Sequence, residues 1–230
     1  MKDVKSTLFV VSARLSSQRI PKKMIKPFND TTLTDIILEK LLTSSVIPKK
    51  NIYLSACDKE LVDIAKKHDI NVYERTRESS EYEKTLPQIL EWHDKLGFDY
   101  YVLISGCCPL MKIETIDGFV KQFLDSPDDH GLFAVFEKKN MIWDYNKNPV
   151  LYDHVETLST KEMKPFYEAA HCLYGGKCEW IPKGVHTGTF TKKNDPPIYV
   201  VDEQQAFDID YQWQFNIAEI LYRQEKEKKE

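Results

Sequence analysis

The chain has 230 residues, 42% of them hydrophobic and 30% charged, which is enough apolar material for the core of one α/β domain. Its formal net charge of −4 excludes a protein that holds nucleic acid through a generally basic surface. No apolar run reaches the ~20 residues of a membrane-spanning helix. The opening Met-Lys-Asp-Val-Lys-Ser has no signal-peptide core, so the five cysteines, an odd number, are expected as reduced thiols in the cytoplasm.

Strand and helix patterns alternate through the first half. Leu8-Phe9-Val10-Val11 reads as a strand buried on both faces. Leu33, Ile36, Ile37 and Leu41 then recur at helical spacing after an Asn29-Asp30 turn. Residues 51–57 form a second strand pattern, Leu61, Ile64, Ala65 and His68 a second helix, and residues 70–73 a third strand. Residues 86–96 are expected to be helical, with Pro87 tolerated in the first turn. A strand over 100–105, a helix carrying Ile113, Ile116, Phe119, Val120 and Phe123, and a strand over 132–136 follow.

This order predicts a mostly parallel, doubly wound (Rossmann-like) α/β sheet with helices on both faces, binding its ligand beyond the carboxyl ends of the strands. Residues 138–164, rich in Asn, Lys, Asp and Pro, break the rhythm and are expected to form a small dimerisation or substrate arm within one domain spanning 1–230. Residues 169–174 and 198–201 read as returning strands, and a last helix begins near Tyr211 and frays into a charged end.

Two segments carry chemistry. Residues 13–23, leaving the first strand, contain Arg14, Arg19, Lys22 and Lys23 with two serine hydroxyls, a composition suited to orienting and neutralising a triphosphate. The alternative is a solvated basic face. Glycine-rich phosphate loops of the Walker and dinucleotide kinds are absent. Near the other end, Asp208-Ile209-Asp210 would place two carboxylates on one side of a strand, where a hard cation such as Mg²⁺ relieves their repulsion. The alternative is that Asp210 caps the last helix and Asp208 ends a strand. His171, Cys172, Cys178 and His186 offer the side chains of a zinc quartet, but paired Cys-x-x-Cys spacing is missing, so metal is the minor reading.

"VSARLSSQRIPKKMIKPF" resembles the opening signature of the acylneuraminate cytidylyltransferases and CMP-Kdo synthetases, and "EQQAFDIDYQWQFNIAEILY" resembles their closing one. The resemblance implies that Arg14 and Lys23 grip the triphosphate, with Ser17 and Arg19 on neighbouring family positions, and that Asp208 and Asp210 hold Mg²⁺. It departs at Lys22, where relatives often carry Gly, and at Gln214, where they often carry Asp. It departs again at Ser105, where Gln commonly meets the cytosine, and at Cys107, where CMP-Kdo synthetases carry a metal-binding Asp. Backbone groups of Ser105 and Gly106 could still read a base edge. The pair Cys107-Cys108 reads as a redox pair or as buried small side chains.

By the same resemblance Arg75 or Arg77, together with Thr85, approaches the nucleotide; surface pairing for one arginine and helix capping for Thr85 are equally good accounts. Trp143, Tyr167 and His171 fall where the family places its sugar pocket, although a lone His is often only a satisfied, half-buried one. The implied activity is transfer of CMP from CTP to an acidic sugar such as sialic, legionaminic or pseudaminic acid, with release of pyrophosphate, by a homodimer. The rivals are the same reaction on Kdo or another sugar, and a non-catalytic nucleotide-binding homologue.

Overall fold

Strand β1 (Thr7–Ser12) is the axis of the sheet, because its Phe9 and Val11 face one apolar layer while Leu8 and Val10 face another. The computed structural model describes residues 2–80, 84–151 and 159–228. After β1 come α1 (Leu33–Leu42), β2 (Ile52–Ala56), α2 (Lys59–Lys67), β3 (Asn71–Glu74), α3 (Leu86–Ile89), β4 (Tyr100–Ile104) and α4 (Ile113–Asp125). The second half holds β5 (Leu132–Lys138), β6 (Ile142–Trp143), β7 (Pro149–Leu151), β8 (Phe166–Lys177), β9 (Ile198–Val200) and α5 (Gln212–Glu227).

Seven strands pair in the order β3-β2-β1-β4-β8-β5-β9. The β1–β2, β2–β3, β1–β4 and β5–β9 pairings are parallel, while β8 runs antiparallel to both β4 and β5. The expected mostly parallel, Rossmann-like sheet is therefore present. Chain order reverses between β1 and β4, so their carboxyl ends open the crevice where ligands of such sheets bind. One core layer contains Phe9, Ile37, Leu54, Ile104, Phe119 and Phe215, contributed in part by α1, α4 and α5; the other gathers Leu8, Val10, Leu90, Trp92, Tyr101 and Ile181. Among the described residues, no helix is long and apolar enough to cross a membrane.

Three expectations need correction. The helix expected over 86–96 stops at Ile89, and residues Glu91–Asp94 continue as a 3-10 turn. Leu90 leaves the helical region at φ −105° and ψ 44°, which lets both Leu90 and Trp92 enter the second core layer, where one regular helix face would bury fewer of them. Residues 208–210 belong to no strand of the sheet. The returning strand β8 is twelve residues long and opposes β5 with a register break, pairing Tyr174 with Phe133 and then Ala169 with Val135. The irregular segment expected over 138–164 does leave the main sheet, as the separate β6–β7 hairpin, while residues 152–158 lie outside the described residues.

Glycines enforce two kinds of constraint. A Cβ at Gly131 would lie 1.9 Å from the backbone oxygen of Thr187, which no rotamer change can relieve, whereas Gly97 has φ +72° and open space around it. Gly131→Ala should therefore cost about 3 kcal/mol of stability or more in urea unfolding, and Gly97→Ala only ~1–2 kcal/mol for the left-handed backbone; equal costs would contradict this packing.

Candidate nucleotide-binding site

The chain leaves β1 under control. Ala13 N–H donates to the Ser55 carbonyl at 3.0 Å, Leu15 N–H donates to Asp58 Oδ2 at 2.9 Å, and Lys22 N–H returns to the Leu15 carbonyl at 3.3 Å. Lys22 sits in the left-handed region at φ 54° and ψ 29°, a conformation that glycine adopts without steric cost. The turn is thus kept with a lysine in it, and it delivers Lys23 inward. Lys23 is buried, its Nζ donates to the Ile209 carbonyl, and it lies 3.8 Å from Asp210 Oδ1. Arg19 Nη2 meets the same carboxylate oxygen at 2.6 Å while its guanidinium lies 5.2 Å from the centre of the Tyr211 ring. Arg14 Nη1 donates to the Ser80 carbonyl at 2.7 Å, and Ser17 lies half-buried on the same loop.

The acidic segment reaches this loop from the other end of the chain. Residues 207–210 join no ladder; Ile209 N–H donates to the Cys107 carbonyl at 3.1 Å, the Ile209 carbonyl accepts from Lys23 Nζ, and Asp210 N–H donates to Gln214. With Ile209 fully buried, Asp208 and Asp210 both lie half-buried, close enough for the charge of one to act on the other, without the sheet that the sequence suggested. Burial and then the Asp210 charge push the Asp208 carboxyl up, opposed by Lys23, Arg19 and His171. Among the described residues no donor hydrogen-bonds the Asp208 carboxylate. Half-buried hard oxygens with a neighbouring carboxylate and no donor are a donor set that fits Mg²⁺.

Asp210 is not the helix cap. That position belongs to Tyr211, and Gln214 Oε1 accepts from the backbone N–H of both Asp210 (2.8 Å) and Tyr211 (2.7 Å). Gln214, expected only as the loss of a carboxylate, therefore fixes the backbone of an acidic residue of the site. The spacing of a glutamine three residues into a helix was the signal that could have found it.

The middle motifs are placed as follows. Ser105 Oγ accepts from Cys107 N–H at 3.2 Å and its own N–H donates to the Cys172 carbonyl at 2.8 Å, so it stabilises the turn after β4. A Cβ at Gly106 would come within 2.8 Å of Met24 Cε, so the turn lies tight against the loop that carries Lys23. Burial pushes the Cys107 and Cys108 thiols up, disfavouring the thiolates a redox pair needs. Arg75 is buried and joins two strand ends, donating from N–H to the Ala56 carbonyl (3.2 Å) and from Nη2 to the Ala13 carbonyl (2.7 Å). Arg77 is exposed and pairs with Asp58 at 3.6 Å. Thr85 is the N-cap of α3, its N–H and Oγ1 meeting Gln88 Oε1 at 3.0 and 2.8 Å.

His171 lies in the bulged part of β8 at φ 51°, with Nδ1 3.0 Å from the Tyr174 hydroxyl and close enough to influence Asp208. A non-glycine residue held there is a strained conformation of the kind found at ligand sites. Tyr167 is exposed on β8, and Trp143, 57% exposed, stands apart on β6. The zinc quartet does not assemble among the described residues. Cys178 follows Lys177, which pairs with Tyr100 at the start of β4, whereas Cys172 lies beside Ser105 at its end, and burial pushes both thiols up to about 12. His186 lies half-buried against Tyr174, and desolvation lowers its pKa to about 4.

A family model described as Cytidylyltransferase matches residues 8–227. Pseudaminic acid cytidylyltransferase of Campylobacter jejuni is 22% identical over 231 residues, covering 94% of this chain and 96% of that protein. The spore coat polysaccharide biosynthesis protein SpsF of Bacillus subtilis is 24% identical over 159 residues, 65% of this chain and 66% of the relative. Among solved structures, CMP:2-keto-3-deoxy-manno-octonic acid synthetase complexed with CTP superposes with a TM-score of 0.68 at 11% identity, covering 95% of this chain and 99% of that one. The 4-diphosphocytidyl-2C-methyl-D-erythritol synthase from Anaerococcus prevotii gives 0.61 at 12%, covering 96% and 98%. These two likenesses show a shared fold. Because the family model runs from β1, ahead of the cationic loop, through the acidic segment and into α5, the chain belongs to the cytidylyltransferase family.

Proposed function

We propose that the protein transfers CMP from CTP to a hydroxyl of an acidic nonulosonate sugar in the cytoplasm, with Mg²⁺ as cofactor and pyrophosphate as the second product. The observation that carries the reading is the meeting of the two chain ends, where Arg19 and Lys23 close on Asp210 beside Asp208, whose carboxylate has no donor among the described residues. The names of relatives point to the acceptor, since two of them are pseudaminic acid cytidylyltransferases aligned over 94% of this chain.

In this reading Arg14 and Lys23 bind the triphosphate, Ser17 and Arg19 complete the loop around it, and Asp208 and Asp210 hold the metal. Bound Mg²⁺ would supply Lewis-acid polarisation of the phosphates. The sugar hydroxyl approaches the α-phosphorus in line, and the cations stabilise charge on the departing pyrophosphate. Ile209 and Gln214 hold the acidic segment still while this happens, through the Cys107 carbonyl and the Asp210 N–H. His171 and Tyr167 face the acceptor side. Trp143 belongs to the arm, whose exposed Trp143, Tyr145 and Val150 suit a homodimer with isologous contacts.

Three outcomes are expected. Pyrophosphate release should require CTP, Mg²⁺ and a nonulosonic acid; turnover with Kdo alone would move the acceptor to the octulosonate class, and no turnover with any sugar acid would leave only nucleotide binding. Asp208→Asn and Asp210→Asn should each lower turnover by about 100-fold or more, yet differ in melting temperature. Without Mg²⁺, Asp208→Asn should melt about 2–4 °C higher, the shift ~1 kcal/mol gives in a chain of this size, because it removes a half-buried charge that has no donor among the described residues. Asp210→Asn, which loses the Arg19 and Lys23 pairs, should not gain. Near-normal turnover in both variants across a Mg²⁺ titration would end the metal assignment. Light scattering should return twice the 26.9 kDa chain mass; a monomer at micromolar concentration would remove the dimer.

A further inference from the structure

Asp35, Glu39 and His68 meet between α1 and the end of α2, and their ligand atoms all lie within 4.8 Å of one another. Asp35 and Glu39 are four residues apart on α1, so the helix period stacks them on one face. His68 closes α2, where its N–H donates to the Ile64 carbonyl at 3.2 Å, and its Nε2 lies 2.7 Å from Asp35 Oδ1. The other Asp35 oxygen is already engaged, because Thr32, the N-cap of α1, donates its hydroxyl to Oδ2 at 2.6 Å. That bond orients the carboxylate and leaves Oδ1 to the histidine. The side chains of Asp35 and His68 are each 11% exposed. Glu39 is exposed, and it lines a cavity of about 850 Å³ with Ile36, Met111, Ile113 and Tyr222, so solvent reaches the group.

One imidazole nitrogen and two carboxylates are donors that first-row transition cations take, whereas Mg²⁺ and Ca²⁺ prefer oxygen alone. Zinc bonds of about 2.0–2.2 Å hold tetrahedral ligand atoms ~3.4 Å apart. Asp35 Oδ1 and His68 Nε2 therefore need to part by less than ~1 Å to admit such an ion, and Glu39 closes on it from within the distance already present. Lys67 Nζ, 3.5 Å from Asp35 Oδ1, supplies positive charge in the empty group; its side chain is 72% exposed and can turn into solvent as the ion enters. Thr32 then holds a ligating carboxylate in place, as bonds behind metal ligands commonly do.

We propose that Asp35, Glu39 and His68 form a site for a zinc-like divalent cation, separate from the nucleotide site, with water in the fourth position. The ion replaces the hydrogen between His68 Nε2 and Asp35 Oδ1, the imidazole keeping its proton on Nδ1, and it joins the end of α2 to α1. Thr34, one residue before Asp35, donates to the Met24 carbonyl at 2.7 Å, next to Lys23 in the chain. The helix turn that the ion fixes is thus also a support of the cationic loop. Nothing in this site depends on the proposed reaction.

The test titrates Zn²⁺ into the wild type, Glu39→Gln, His68→Gln and Asp208→Asn by calorimetry in excess Mg²⁺, beside melting curves with and without zinc. The wild type and Asp208→Asn should bind zinc alike, and zinc at about a hundred times its dissociation constant should raise both melting temperatures by ~5–10 °C. Glu39→Gln and His68→Gln should each bind at least about tenfold more weakly and lose that rise. Glu39 is exposed, so Glu39→Gln keeps the fold and decides the matter even where His68→Gln lowers the melting temperature by disturbing a half-buried contact. Zinc binding that survives both substitutions, or that falls only in Asp208→Asn, would overturn the site. Absence of zinc binding in the wild type would also overturn it, leaving Asp35 and His68 as a tie between two helices.

Discussion

Arg19 and Asp210 meet at 2.6 Å although 191 positions separate them in the chain, and the candidate site depends on whatever brings those two ends together. A contact of this range costs considerable loop-closure entropy, so it cannot be held by an ion pair whose side chains are 44% and 33% exposed. The closure is secured instead by apolar burial. Ile209 is fully buried and hydrogen-bonded to the Cys107 carbonyl, Phe215 anchors α5 against Phe28 with ring centres 5.1 Å apart, and Ile20 buries the middle of the cationic loop. The charges then sit on two segments whose separation the core has already fixed, which is what preorganisation for a polyanion requires.

The energetics of the site work against the fold in one respect. Asp208 is half-buried with no donor among the described residues and a carboxylate for a neighbour, an arrangement that lowers stability in the empty protein. Its cost is limited by Lys23, Arg19 and His171, which surround the pair without bonding to Asp208 itself. His171 adds a second local cost, since a left-handed histidine in a bulge persists only because β4 and β5 fix β8 on both sides. Both strained features lie at the same end of the sheet, and the surrounding core layers offset them.

Periodicity made most of the sheet and helices legible, since α1, α2, α4 and α5 each carry apolar residues at helical spacing and β1, β2 and β4 are short apolar runs. The failures have local causes. Alternation at 208–210 looked like a strand because any extended chain alternates; only a ladder distinguishes the two, and a ladder depends on neighbours remote in sequence. The helix expected over 86–96 was broken by the burial of Leu90 and Trp92 in a layer contributed by other elements. The two charged segments of the site were legible from composition, but their contact was not. Equally hidden was the pairing of Ser12 with Ser55, since register between parallel strands is set by packing and leaves no mark in either strand alone.

The closed triad of Arg19, Lys23 and Asp210 has a thermodynamic consequence. Before any ligand arrives, the acidic group already carries counter-ions, and in the proposed function these are the same cations that face the incoming polyanion. Ligand binding is then an exchange of partners rather than an addition of charges. A cation that replaces Arg19 and Lys23 at Asp210 frees them for the polyanion, and a polyanion that draws them away leaves Asp210 open to the cation. Such an exchange couples the two ligands with one and the same free energy in both directions, so the triad acts as a latch that each ligand opens for the other.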